Sequence, residues 1–238
     1  MSVDSFYKSK KFFALVTVLT ATAIYFVGQF VAAFVYLALT KNQQVDQLEP
    51  WQTTVISLAF GATILACIYL ILRRHAKTLA AMAHKLGIRK PTKETFTYAL
   101  LGFSAYFVIF LTISIVLSHF QLVDLEQAQK TGFENVSQHS LDIVYAFLTL
   151  VIIPPFVEEV LFRGFLFRRL KGLVGVVAAA LITSVLFGVA HWQWNVAIDT
   201  FVLSMVMIYV LQIHDNLVVT MLMHMLKNIL AFLVIFHV

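Results

Sequence analysis

Pro154-Pro155-Phe156-Val157-Glu158-Glu159-Val160-Leu161-Phe162-Arg163 sets two adjacent carboxylates and an arginine inside an otherwise apolar run. A carboxylate within hydrocarbon costs roughly 2.5–3.5 kcal/mol on insertion scales, so such groups face a protein interior or a watery cavity and mark function by default. Glu159 and Arg163 stand four residues apart, the spacing at which side chains meet on one helix face. The prolines remove the backbone donors that the carbonyls of Leu150 and Val151 would use in a helix. The run therefore either kinks there or starts afresh at Pro155. A fresh start would set both glutamates near a first turn, where the helix dipole favours anions. Irregular backbone beside carboxylates is tolerated at membrane depth only where it lines a pocket.

The surrounding sequence makes that setting a membrane. Of the 238 residues, 61% are hydrophobic and 12% charged, and the mean hydropathy is +0.88, which excludes an ordinary soluble domain. Apolar blocks near 12–40, 51–72, 95–118, 144–167, 174–192, 197–213 and 216–236 predict seven spans, each close to the roughly 20 residues a crossing needs. The fold expected is an all-α polytopic bundle of about seven to eight helices with a buried polar cavity, because helices satisfy their backbone groups internally. A single integral membrane domain over 1–238 is expected, with a catalytic core at 141–238. The alternation of barrel strands is missing.

Lys8, Lys10 and Lys11 before the first block resemble a signal peptide's basic region, and Ala21-Thr22-Ala23 a cleavage site. The apolar residues run on to Leu39, so an uncleaved anchor is the reading taken. Arg73, Arg74, Lys77, Lys85, Arg89, Lys90 and Lys93 crowd the link between spans two and three. The loops at 41–50 and 119–143 hold one lysine each, Lys41 and Lys130. The positive-inside rule then puts the N-terminus and the 73–94 link in the cytoplasm, in agreement with Arg168, Arg169 and Lys171 after span four. The net charge of +5 is thus a topology signal, and no nucleic-acid partner is expected. The basic link suits anionic headgroups. Cys67, alone in span two, offers neither a disulfide nor a thiolate cluster.

Of eight histidines, His75, His84 and His139 fall in polar loops, His119 and His214 at span ends, and His237 at the terminus. His191 and His224 fall in apolar segments. Phe187 lies four residues before His191, and Asn228 four after His224, so each pair shares a helix face. A histidine in a membrane helix commonly serves as an interhelical hydrogen-bonding group. Composition and spacing leave that reading and a catalytic site both open.

The three elements together resemble the CAAX protease and bacteriocin-processing family of intramembrane endopeptidases. That family includes the type II prenyl-protein proteases and abortive-infection relatives. Its pattern is Glu-Glu-x-x-x-Arg, then Phe-x-x-x-His, then His-x-x-x-Asn or Asp, on separate helices. Here these are Glu158 to Arg163, Phe187 to His191 and His224 to Asn228, within roughly 145–230. The resemblance implies that Glu158 is the general base acting on water, that His191 holds the same water, and that His224 and Asn228 donate to the oxyanion. Glu159 and Arg163 would be a supporting pair. Peptide hydrolysis needs an activated water and donors aimed at the developing charge. A zinc reading uses Glu158, His191 and His224 as ligands with one position for water, although the His-Glu-x-x-His helix of many zinc proteases is missing. The metal-free mechanism is preferred because Asn228 suits an oxyanion donor better than a ligand, and no cofactor is then expected.

The function expected is an intramembrane endopeptidase of the glutamate type in a bacterial cell membrane, taking a membrane-associated peptide or protein substrate from the bilayer. Two other classes compete: a polytopic interaction or bacteriocin-immunity protein that keeps the polar cluster but only binds, and a small transporter. A transporter would favour internal repeats, which are not seen.

Depth is the difficulty. With span four at 144–167 and span five from 174, Glu158 and His191 sit on the order of 20 Å apart along the membrane normal. One site requires span four to be centred near Glu158 with Arg163 buried. Span five must run deeper, with Trp192 and Trp194 near its end and a short turn before Asp199. Both tryptophans are otherwise expected to be interfacial anchors. Lys227, inside the third motif, needs a polar partner such as Glu159 or cavity groups.

Overall fold

Long apolar runs with few breakers become long helices. In the computed structural model, which describes residues 3–39, 49–122, 133 and 140–236, these helices form an all-helical bundle. Helix α1 runs Val3–Leu39, α2 Pro50–Leu72, α3 Leu79–Leu86 and α4 Lys93–His119. Helix α5 runs Ser140–Val174, α6 Val176–Val189, α7 Trp194–His214 and α8 Leu217–Phe236. Six of these helices are long and apolar enough to cross a membrane: α1, α2, α4, α5, α7 and α8. Large apolar side chains such as Phe30, Phe34, Leu100, Val108, Val177 and Val234 point outward, the surface that a lipid-embedded bundle presents. His139, His237, Lys41 and Lys130 lie outside the described residues.

Two of the seven expected spans change. The block at 144–167 belongs to a 35-residue helix, α5, whose middle lies at Val157, next to Glu158, as one common site requires. The block at 174–192 becomes a helix of only 14 residues, about 21 Å long and short of a full crossing. Gly175 separates α5 from α6 with a φ of +84°, backbone that favours glycine. Residues 190–193 then turn the chain, Trp192 adopting a φ of +56°. Trp194 therefore opens α7 instead of closing the preceding helix, and Asp199 lies inside α7. Glu158 precedes Gly175 by 17 residues and His191 follows it by 16, so two antiparallel segments bring them to the same depth.

The sequence reading also missed α3. Thr78 caps it, accepting the amide of Ala81, and Gly87 ends it in the left-handed conformation. The link after α3 docks onto the α7–α8 turn. The Leu217 amide donates to the Gly87 carbonyl at 2.8 Å, and Asp215 receives Arg168 at 2.9 Å as well as Arg89. These bonds fix the register of α8 against α5, with Leu217 beside Gly164. Seven residues on, α8 delivers His224 to the depth of Glu158.

Helices α6 and α7 form the tightest hairpin. Any Cβ at Gly188 would lie 2.7 Å from the Ala197 carbonyl oxygen, so only glycine permits this approach. Ser184 and Ser204 share a 2.7 Å hydrogen bond within the same interface. Buried apolar residues of α1, α2, α3 and α5 to α8 form the largest core, and Phe162, Phe165, Phe167 and Phe187 are all fully buried in it. A second cluster joins α4 to α7 and α8, and a third joins α5 to the end of α8. The polar site lies among the three.

Candidate active site

Helix α5 is not uniform. Leu148–Ile152 and Val160–Phe167 are wound as π-helix, with ordinary α-helix at Ile153–Glu159 between them. Such widened turns recur at functional sites. The first has a local cause. Pro154 and Pro155 carry no amide hydrogen, so the Leu150 carbonyl finds no donor at either the fourth or the fifth following residue. Asn228 of α8 supplies one, its Nδ2 lying 2.8 Å from that oxygen. The helix is thus neither broken nor restarted at Pro155; it widens and is pinned from outside. Thr54 of α2 adds a second pin, 2.7 Å from the Thr149 hydroxyl.

Glu158, His191, His224 and Asn228 all line one cavity of about 260 Å³, with Thr149, Leu150, Pro154 and Lys227 also in its wall. The Glu158 Oε2 atom lies 3.9 Å from His224 Nε2, and its Oε1 accepts the Tyr25 hydroxyl at 3.0 Å. His191 Nδ1 lies 2.8 Å from the Phe187 carbonyl. A carbonyl only accepts, so Nδ1 carries the proton and a neutral ring keeps Nε2 as an acceptor. Phe187 is therefore more than a spacer in its motif: it orients the imidazole and stacks edge-on against it, at a centroid distance of 5.1 Å.

Glu159 points away from the cavity into the core. Its side chain and that of Arg163 are fully buried, joined at 2.9 Å. The same Oε1 lies 3.0 Å from His224 Nδ1. That carboxylate fixes Nδ1 as a donor and directs Nε2 toward Glu158. The Arg163 guanidinium carbon sits 4.1 Å from the Phe187 ring centroid, so a π face covers part of a cation whose Nε and Nη2 find no hydrogen-bond partner among the described residues. Phe187 also meets the His224 ring edge-on. Three motif residues, Arg163, His191 and His224, thus close around one aromatic ring.

Lys227 pairs with Asp199 of α7 at 3.3 Å rather than with Glu159. Asp199 also accepts the Tyr106 hydroxyl of α4. Sequence reasoning had no signal for either partner, and none for Tyr25. Trp192 and Trp194 are largely exposed, but Trp192 is more than an interfacial anchor. Its ring packs on Phe26 and Phe30, and its Nε1 donates to Gln29 at 2.9 Å. Among the described residues, no three His, Cys, Asp or Glu side chains are arranged to hold one metal ion. Glu158, His191 and His224 all line the cavity, and with Nδ1 on Glu159 the His224 ring keeps Nε2 turned toward Glu158.

Comparison with known proteins gives two matches. Residues 140–230 match the family model described as type II CAAX prenyl endopeptidase Rce1-like. The membrane-embedded CAAX protease MroQ of Staphylococcus aureus (strain USA300) is 29% identical over 160 residues, covering 64% of this chain and 62% of that protein. The match thus spans less than two thirds of the relative's length. No solved structure matches. The resemblance drawn from the three motifs is therefore borne out as a similarity over residues 140–230, in a chain with six helices long and apolar enough to cross a membrane.

Proposed function

We propose that this protein is an intramembrane endopeptidase that hydrolyses a peptide bond in or beside the bilayer with a glutamate-activated water. The observation that carries this reading is the meeting of Glu158, His191, His224 and Asn228 at one cavity. Water donates one hydrogen to His191 Nε2 and the other to Glu158 Oε2. As the oxygen attacks the carbonyl carbon, Glu158 takes the proton as general base. The carbonyl oxygen becomes an oxyanion and receives hydrogen bonds from the second Nδ2 hydrogen of Asn228 and from His224 Nε2 in its protonated form. Glu159 stabilises that imidazolium through Nδ1. Collapse breaks the C–N bond, and the proton held by Glu158 passes to the leaving amine, with His191 as relay. Donors fixed in a poorly hydrated pocket act without reorganising, which is where such stabilisation is largest.

The steps proposed use no metal; the competing zinc reading would take Glu158, His191 and His224 as ligands, with one position left for water. The substrate class proposed is a membrane-associated peptide or protein, and the N-terminus and the basic 73–94 link are proposed to face the cytoplasm of a bacterial cell. Purified protein in lipid, offered a library of membrane peptides, tests the reading. Cleavage that survives a strong chelator and disappears in His191→Ala is expected. Cleavage abolished by chelator and restored by zinc would replace it with the metalloprotease. Full biological activity of His191→Ala without any cleavage would replace it with the interaction or immunity protein.

A further inference from the structure

Helix α1 lies more than a hundred residues before the 140–230 family segment, yet it reaches both halves of the site. Tyr25 is 2% exposed, with its ring set edge-on against Phe26 and Phe162 and tilted on Phe60. That packing leaves the hydroxyl one direction, toward Glu158 Oε1 at 3.0 Å. One helical turn later, Gln29 uses both ends of its amide. Nε2 donates to the Ala190 carbonyl at 3.0 Å, and Oε1 accepts Trp192 Nε1 at 2.9 Å. Ala190 and Trp192 flank His191, and Trp192 holds an unfavourable positive φ. Two residues four apart on one helix face therefore grip the base on α5 and the turn that presents His191.

We infer that Tyr25 and Gln29 are positioning residues of the peptidase site, an inference that rests on the endopeptidase reading above. Tyr25 occupies Oε1 of Glu158, which leaves Oε2, the oxygen facing His224, to take the proton from water. Gln29 holds the 190–192 turn so that His191 Nε2 faces the same water. The functional unit thus includes a helix outside the matched domain, and α1 acts as its clamp.

The test uses the full chain reconstituted in lipid. Tyr25→Phe keeps every ring contact and removes only the hydroxyl. Gln29→Met keeps the side-chain length and removes both hydrogen bonds. Each variant is expected to lower kcat by about 10- to 100-fold, as small misplacements of reacting groups do, with KM and the thermal unfolding midpoint unchanged. A second readout does not depend on activity. The infrared difference between the wild type and Tyr25→Phe in the carboxylate stretching region should show a band that is absent when both proteins also carry Glu158→Gln. Wild-type kcat in both variants, or no such band, would overturn the inference. A band together with no cleavage of any peptide by the wild type would support the grip of α1 on Glu158 and count against the endopeptidase reading itself.

Discussion

Glu159 spends one oxygen on two partners, Arg163 and His224, inside a fully buried setting. Removing one member of a buried pair leaves the other charged and unpaired, which costs about 3–5 kcal/mol, whereas replacing both with apolar residues costs far less. Glu159→Leu should therefore lower the thermal unfolding midpoint sharply, and Glu159→Leu combined with Arg163→Met should recover much of it. A double variant as unstable as the single would show that the pair is not the structural anchor. Asn228 has a different double duty. Asn228→Ala leaves the Leu150 carbonyl without its donor, at about 1–3 kcal/mol, and should remove the oxyanion donor proposed above, at about 10²- to 10³-fold in kcat. Stability and turnover measured together separate these effects: unchanged turnover would remove Asn228 from the chemistry. The motif residues were legible because each motif is local, two polar groups four apart on a helix. Tyr25, Gln29, Tyr106 and Asp199 were not, because no spacing links a residue on α1 or α4 to a partner up to 163 positions away.

Among the helices, the short α6 decides whether the site exists. A full-length crossing would carry His191 past Glu158. Gly188 lets α6 press against the Ala197 carbonyl of α7, three residues before the histidine. Because the atom in the way is backbone, Gly188→Ala cannot be absorbed by a side-chain rotation. It should force the hairpin apart, lower the unfolding midpoint and reduce cleavage at least tenfold; a variant with wild-type stability and rate would contradict this packing. Hydropathy located the apolar blocks well, and the depth conflict between Glu158 and His191 showed that helices four and five were misplaced. It could not show the π-helical stretches, since a widened turn depends on which distant donor meets a freed carbonyl. It missed α3 because eight residues are far too few for a crossing, and the apolar blocks were read by the length a crossing needs.

For the molecule as a whole, basic side chains from two separate stretches, the 73–93 link and the end of α5 with Arg168 and Lys171, gather where Asp215 ties α5 to the α7–α8 turn. The concentration of such charge at one end of the bundle is the basis for proposing that this end faces the cytoplasm. Cys67 is the single cysteine, so Cys67→Ala gives a clean background for labelling. A cysteine placed at Lys85 should react with a membrane-impermeant thiol reagent only in inverted vesicles, and one placed at Phe120, at the far end of α4, only in right-side-out ones. The opposite pattern would invert the topology. The fold class was readable from composition and apolar block length, and the three motifs from the family resemblance. The clamp by α1 belongs to the packed molecule alone.

The most direct measurement is the peptide-cleavage rate of Glu158→Gln in lipid beside the wild type. Glutamine keeps the shape, the cavity wall and an acceptor for Tyr25, and it removes only the ability to take a proton from water. A fall of about 10²- to 10⁴-fold in kcat with an unchanged unfolding midpoint is expected. Turnover within a few-fold of the wild type would contradict Glu158 as the base.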